Sequence, residues 1–433
     1  MNIAKKVHFV GIGGIGMSAL VQMLKHDGVQ VTGSDKERSL VTEMLEEKGI
    51  AVQVPQVAEN VPADAELLVY SDAVPKDNPE RAEAASRGIS QLSYFAMLGK
   101  VSVGKRTLAV AGTHGKTTTT GMLAKILIDA GAKPTAIVGS IVKDFESNYV
   151  AGTSDLPRGK AGIFVVEACE YRDHLLELSP EVLIITNLEW DHTDYFPSLG
   201  ALQETFSKAI ARVPETGAIV TDPANPNIEP LLSSARARIV DYTAEPAYEL
   251  LLPGEFNQQN ARAAAAAAQA VMPDISDSVI ADSLTSFHGT WRRFEHKGKT
   301  ALGADVYDDY AHHPTAIRET LKALRAKSSG RIFVAFHPHL YSRTRDLLDE
   351  FATAFADADE VLIAPIYAAR EVDDGSISSQ LLAERIQASG THARAATFTE
   401  IESILNTEPK AGDTIMTMGA GDIYKVADAL VRH

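Results

Sequence analysis

Residues Thr107 to Thr120 read TLAVAGTHGKTTTT. An apolar, strand-like run ends at Gly112, and Gly115-Lys116-Thr117 opens a helical pattern that reaches about Ala130, where Gly131 is a stop signal. A glycine turn between strand and helix lets backbone N–H groups cradle phosphate. Lys116 then neutralises β/γ charge, and the Thr117 hydroxyl can ligate Mg²⁺. The general P-loop has glycine where Val110 stands, so the match is the shorter G-x-x-G-K-T. ATP is the expected ligand. The bland alternative is a turn that happens to contain lysine.

A second glycine loop lies upstream. Val7-His-Phe-Val is followed by Gly11-Ile-Gly13-Gly14-Ile-Gly16-Met-Ser18, which contains G-x-G-x-x-G at a strand-to-helix junction. Such glycines let backbone approach a diphosphate at a helix N-terminus. Asp35 ends the next strand, where an acid can meet a ribose hydroxyl. Alone, this loop would suit a nicotinamide or flavin cofactor. With a phosphate loop following it, one energy donor and one nucleotide-bearing substrate are the better expectation.

Working outward, β-rich runs alternate with helical stretches almost throughout, which predicts α/β domains on parallel sheets. The chain has 433 residues, and at roughly 150 residues per domain that suggests three. Basic, irregular stretches at Gly99–Arg106 and Gly289–Thr300 read as linkers. The expected domains are therefore 1–103, 104–294 and 295–433.

Lys plus Arg number 41 and Asp plus Glu 57, for a formal charge of −16. That field repels nucleic acid and anionic lipid, so neither is an expected partner. The one cysteine, Cys169, excludes an intramolecular disulfide and suits a reducing cytoplasm. No signal peptide or membrane span is read from the chain. A monomer or homodimer acting on small molecules is expected, in the cytoplasm.

Two apolar runs of the central region end in polar clusters. Val165-Val-Glu167-Ala-Cys-Glu170 is one, and Ile184-Ile-Thr-Asn-Leu-Glu189-Trp-Asp191-His192-Thr-Asp194 is the other. In an open parallel sheet, ligands collect at strand carboxyl ends. Oxygen donors suit Mg²⁺, and an imidazole can join them. Glu167 and His192 are candidate ligands of one ion and Thr117 of another. Lys116, Glu167 and His192 thus head the catalytic candidates.

The ordered strings HFVGIGGIGMS, SDAVPKDNPE, GTHGKTTTT, VVEACE, TNLEWDHTD, PGEFNQQN, WRRFE, DDYAHHPT and HPHLYSRT resemble the bacterial Mur ligases over nearly the whole chain. The resemblance implies a Rossmann-like N-terminal domain, a P-loop ATPase central domain and a Rossmann-like C-terminal domain that closes over an amino acid. It implies ATP-dependent formation of an acyl phosphate on the lactyl carboxylate of UDP-N-acetylmuramate, then attack by an amine. The motifs are most like those of members that add L-alanine, and Mg²⁺ is the implied metal.

Residue by residue, the resemblance puts the UDP diphosphate at Gly11, Gly13, Gly14, Ile15, Gly16, Met17 and Ser18. Asp35 and Ser71 would meet the nucleotide end. ATP would lie on Gly112, Thr113, His114, Gly115, Lys116, Thr117 and Thr118. Asn257 and Asn260 would face adenine, and Arg292 with Arg293 stand where the family's hinge arginine reaches ATP. Asp308, Tyr310 and His312, with His339 and Arg343, would be the C-terminal contribution. His312, His313 and His339 are candidate bases, with that role left open.

This chain departs from the family at Phe256, where histidine is usual, and at Leu340, where P-H-R-Y has arginine. Lys208 lies near the segment that carries a carbamylated lysine in several members but is offset from it. A tripeptide-adding recycling ligase on the same sugar nucleotide is the nearest alternative. A nicotinamide-dependent dehydrogenase and an inactive nucleotide-binding module are the more distant ones.

Overall fold

The computed structural model describes residues 4–153 and 161–431, so the extreme ends of the first and third expected domains lie outside the described residues. The strands of the first sheet are β1 (Lys6–Val10), β2 (Gln30–Ser34), β3 (Val52–Gln53), β4 (Leu67–Tyr70) and β5 (Ser90–Ser93). Their order is β3-β2-β1-β4-β5, and every pairing is parallel.

The second sheet holds β6 (Arg106–Ala111), β7 (Thr135–Val142), β8 (Ser147–Val150), β9 (Ile163–Glu167), β10 (Val182–Ile185), β11 (Ala218–Thr221) and β12 (Arg238–Asp241). Its order is β12-β11-β10-β6-β9-β7-β8, with β8 antiparallel at one edge. The third sheet holds β13 (Glu295–Lys299), β14 (Asp305–Asp309), β15 (Ile332–Phe336), β16 (Glu360–Ile363), β17 (His392–Ala395) and β18 (Thr414–Met418). Its order is β13-β14-β18-β15-β16-β17, and β13 is its antiparallel edge.

The central strands are apolar because helices cover both faces of a parallel sheet. Phe333, Val334, Ala335 and Phe336 of β15, for example, are all fully buried. The first two sheets begin with a strand, turn and helix of the kind expected from their motifs, and the third with the antiparallel pair β13–β14. By contact, the chain falls into two units. One carries residues 1–188, 203–246 and 261–284, and so the first two sheets. The other carries 189–202, 247–260 and 285–433, and so the third sheet.

Two linker expectations give way to regular structure. Residues 99–102 close the helix Tyr94–Ser102, whose apolar face outweighs its Gly99 and Lys100. Residues 295–299 form β13, whose sequence Glu-His-Lys-Gly-Lys is polar because it is an edge strand.

The motif SDAVPKDNPE has a structural task in the first sheet. Asn78 caps the helix Pro79–Ser86 through the N–H groups of Glu80 and Arg81. The fully buried Glu80 carboxylate accepts from Ser34 Oγ (2.5 Å), Asn60 Nδ2 (2.7 Å), Val57 N (3.2 Å) and His8 Nε2 (3.1 Å). Burial works to raise its pKa, but these partners hold it below the ordinary value.

Candidate active site

In the first unit, the N-terminal loop is shaped by its own acid. Gly11 has φ +80° and its N–H donates to Ser34 O at 2.9 Å. Gly13 N–H donates to Asp35 Oδ2 at 2.8 Å, so Asp35 also holds the loop it was expected to serve. A Cβ on Gly13 would meet that carboxylate at 2.9 Å, and one on Gly16 would meet the Tyr94 ring at 2.8 Å. One on Gly11 would meet Ser71 Cβ at 3.0 Å. Gly14 is the N-cap of the helix Ile15–His26. Met17 and Ser18 are buried in its first turn, and the Ser18 hydroxyl donates to Ile15 O at 2.8 Å.

The second loop is clamped from β10's carboxyl end. Gly112 (φ +123°) and Gly115 (φ +80°) occupy conformations that other residues resist. Thr186 Oγ donates to His114 O at 2.6 Å, and Asn187 Nδ2 donates to the same carbonyl at 3.0 Å. His114 N–H returns a bond to Asn187 Oδ1 at 2.9 Å. Tyr242 Oη in turn donates to Thr186 O at 2.6 Å. Thr117, Thr118 and Thr113 are buried around the start of the helix Lys116–Asp129.

The Lys116 ammonium is turned inward. It donates to the carbonyls of Gly112 and Thr113 and lies 3.1 Å from Glu170 Oε1. Burial would lower its pKa, but Glu170, with Cys169 and Glu167, outweighs that and raises it. Glu170, Thr186, Asn187 and Tyr242 were not singled out as functional from sequence. The signal for three of them was present, because they sit inside VVEACE and TNLEWDHTD.

Glu167, at the end of β9, lies over Gly139 of β7. Gly139 N–H donates to its Oε2 at 2.9 Å, and a Cβ on Gly139 would fall 2.1 Å from that oxygen. The carboxylate thus occupies a cradle that only glycine leaves open. Lys208 is on the surface, paired with Glu204 one helical turn away.

In the second unit, Arg343 is the organising side chain. It is 1% exposed, its Nε donates to Asp191 Oδ1 at 2.8 Å, and one terminal nitrogen donates to His339 Nδ1 at 2.9 Å. Burial works to raise the Asp191 pKa, but Arg343, with His192, His313 and His312, holds it well below the ordinary carboxylate range. His192 has φ +52°, and its N–H donates to Asp191 Oδ1 at 2.6 Å. His312 Nδ1 lies 2.9 Å from Tyr310 O, and its ring is 5.9 Å from that of His339. Burial and then Arg343 lower both histidines, His339 to about 3 and His312 well below its ordinary value.

Other expected contacts are engaged within this unit. Arg292 is buried, with bonds to Asp308 (2.8 Å), Gly421 O (3.0 Å) and Gly419 O (2.7 Å). It ties β14 to the loop after β18, and the neighbouring Arg293 guanidinium lies 5.1 Å from the Tyr310 ring centre. Asp308 also accepts from Thr417 Oγ at 2.6 Å. Asn257 donates to Pro253 O at 2.7 Å and accepts from Asn260 at 3.3 Å. Phe256 packs on Gly254 and Ala323. Leu340 is fully buried at φ +72°.

Three regions of the chain match descriptions of one family. Residues 6–106 match "Mur ligase family, catalytic domain", 110–249 "Mur ligase middle domain" and 292–421 "Mur ligase, glutamate ligase domain". The chain is 39% identical to the UDP-N-acetylmuramate–L-alanine ligase of Acetivibrio thermocellus, covering 100% of this chain and 96% of that protein. Its fold matches the UDP-N-acetylmuramate–alanine ligase structure from Thermotoga maritima with a TM-score of 0.79 at 28% identity, covering 98% of each chain. It matches the murein peptide ligase structure from Psychrobacter arcticus with a TM-score of 0.75 at 26% identity, also over 98% of each chain. With three α/β sheets, two glycine cradles and this full-length kinship, the chain belongs to the Mur ligase family.

Proposed function

We propose that this protein is an ATP-dependent ligase that joins L-alanine to the lactyl carboxylate of UDP-N-acetylmuramate, for peptidoglycan precursor synthesis. The observation that carries the reading is the pair of glycine cradles in one unit, one built on Asp35 and the other around Lys116. A dehydrogenase has no use for the second. Both cradles must hold anions against a net charge of −16, which is what helix N-termini and a buried lysine achieve locally.

The chemistry has two steps. A lactyl carboxylate oxygen attacks the γ-phosphorus, and ADP leaves. The L-alanine nitrogen then attacks the acyl carbon, the C–O bond to phosphate breaks, and the nitrogen loses a proton. Catalysis of such transfers is mainly positioning and charge neutralisation. Gly112 to Thr118 hold the phosphates, and Lys116 faces their charge. Glu167 is the oxygen donor that would hold one Mg²⁺, and Thr117 would serve another; the Gly139 cradle fixes the Glu167 carboxylate, and its donor chemistry fits that ion. Bound there, Mg²⁺ supplies neutralisation between the two anions. His192 is proposed for the same ion from its sequence position.

Two histidines of the second unit have their tautomers fixed by their partners. An arginine can only donate, so His339 Nδ1 accepts from Arg343 and its Nε2 carries hydrogen. His312 Nδ1 donates to the Tyr310 carbonyl, so its Nε2 keeps a lone pair. His312 is therefore the base on this reading, with His339 as donor. Among the described residues no helix is long and apolar enough to cross a membrane, and a cytoplasmic site of action suits an ATP-consuming step.

The test is phosphate release from ATP with UDP-N-acetylmuramate and L-alanine, then with L-alanyl-γ-D-glutamyl-diaminopimelate in its place. Turnover is expected with L-alanine. Turnover with the tripeptide alone would make it the recycling ligase.

A further inference from the structure

The hairpin β7–β8 touches both cradles of the first unit. On β7, the regular ladder to β8 is interrupted between Ile137 and Val142, and Gly139 lies in that bulge. Its N–H is thereby turned to the Glu167 carboxylate at 2.9 Å. Bulges re-aim backbone groups in this way. On β8, the fully buried Asn148 reaches the first turn of the helix Ile15–His26, which carries the diphosphate loop at its N-terminus. Asn148 Nδ2 donates to Ile15 O (2.5 Å) and to Ser18 Oγ (2.8 Å), and Oδ1 accepts from Gln22 Nε2 (2.9 Å). Gln22 Oε1 accepts from Lys48 Nζ at 2.7 Å and from Ser147 Oγ at 3.3 Å, which carries the network on to the hairpin's own Ser147.

We propose that this hairpin sets the acceptor cradle in register with the carboxylate assigned to Mg²⁺, with Gly139 and Asn148 as its positioning residues. Both amide hydrogens of Asn148 are used, and no atom of it faces water. Its amide hydrogens go to the first turn of the helix, at Ile15 and Ser18, and its oxygen accepts from Gln22 further along, so its bonds fix the position of the helix start relative to the hairpin. Gly139 lies nine positions before Asn148 on the same hairpin, a span short enough to transmit a shift as a rigid element. A displacement of the acceptor loop then displaces Glu167, and the reverse holds by linkage. The inference rests on the functional reading above.

Calorimetry separates the two. UDP-N-acetylmuramate is titrated into the full chain with and without Mg²⁺ and a non-hydrolysable ATP analogue, and the ratio of affinities is the coupling between sites. In Asn148→Ala and Gln22→Leu, the coupling should fall by roughly fivefold or more, while each ligand bound alone keeps its affinity within about threefold. Asn148→Ala should also lower kcat more than it raises KM. A merely structural contact would lower the melting temperature and leave the coupling unchanged. Should Asn148→Ala not fold, Gln22→Leu decides. Parental coupling in the folded variants, or a parent that binds the sugar nucleotide without coupling, overturns the inference and leaves the function standing. A parent that binds no sugar nucleotide overturns the function itself.

Discussion

Arg343 and Asp191 form an ion pair at 2.8 Å with side chains 1% and 5% exposed. They lie far apart in sequence, on HPHLYSRT and TNLEWDHTD, and each is the other's compensation for leaving water. Removing one side of such a pair leaves a buried charge. Arg343→Ala should therefore destabilise the protein by about 3–5 kcal/mol, and Asp191→Asn in the same background should restore part of it. Urea unfolding of the single and double variants measures both, and additive losses would contradict the pairing.

The proton assignment of the two histidines gives a separate expectation. His312→Gln should lower kcat by about a hundredfold or more with little change in KM for either nucleotide. His339→Gln can still accept from Arg343 and donate elsewhere, so it should lose much less. Equal losses in both variants would remove His312 from the role of base.

Lys116→Ala should abolish acyl phosphate formation, read as loss of ATP-dependent phosphate release, with the circular dichroism spectrum unchanged. Glu170 then loses the Lys116 ammonium. The double variant Lys116→Ala/Glu170→Gln should melt higher than the single one while staying inactive. Normal turnover in Lys116→Ala would refute the phosphate-loop assignment.

His337 lies against the Gly419–Gly421 loop, and its pKa is lowered to about 4, first by burial and then by Arg292, with Asp422 opposing. In the unfolded chain it returns to about 6.5. Between those values the unfolded state binds more protons, so stability is complete above about pH 6.5 and is lost as pH falls toward 4. His339, lowered to about 3, acts in the same direction. The melting temperature should thus fall from pH 7.5 to 5, and His337→Gln should flatten part of that slope. An unchanged slope in the variant would mean that His337 is protonated when folded.

Glu80 should matter to the first sheet without touching either phosphate loop. Glu80→Ala leaves His8, Ser34 and Asn60 without their common acceptor, a loss of about 3–5 kcal/mol. Circular dichroism during urea unfolding should show it, and UDP-N-acetylmuramate should offset part of it by binding only the folded state.

The parts of the fold that could be read in advance were those with strong local chemistry. Gly112 to Thr120 and Gly11 to Ser18 announce a strand, a turn and a helix in a few residues each, and their central strands are too apolar to be anything else. The edges were harder. Glu295 to Lys299 carries no apolar alternation, because one side of an edge strand faces water, and it looked like a linker. The hairpin β7–β8 went unread because its bulge breaks the period of two. At the site, residue types pointed to Lys116 and Glu167, but pairings such as Lys116 with Glu170 join positions 54 residues apart and exist only once the sheet forms. Arg292 shows the opposite difficulty. The family resemblance points it at ATP, and nothing in its local sequence told of the three bonds that it makes to Asp308 and the Gly419–Gly421 loop.

The inward posture of the Lys116 ammonium bears on how the protein releases its spent fuel. Because that charge already has an anionic companion in Glu170, a phosphate bound there would replace a partner instead of filling a vacancy. On the proposed function, the backbone donors of the loop would then carry more of the nucleotide's affinity, and Glu170 would take the ammonium back as ADP leaves.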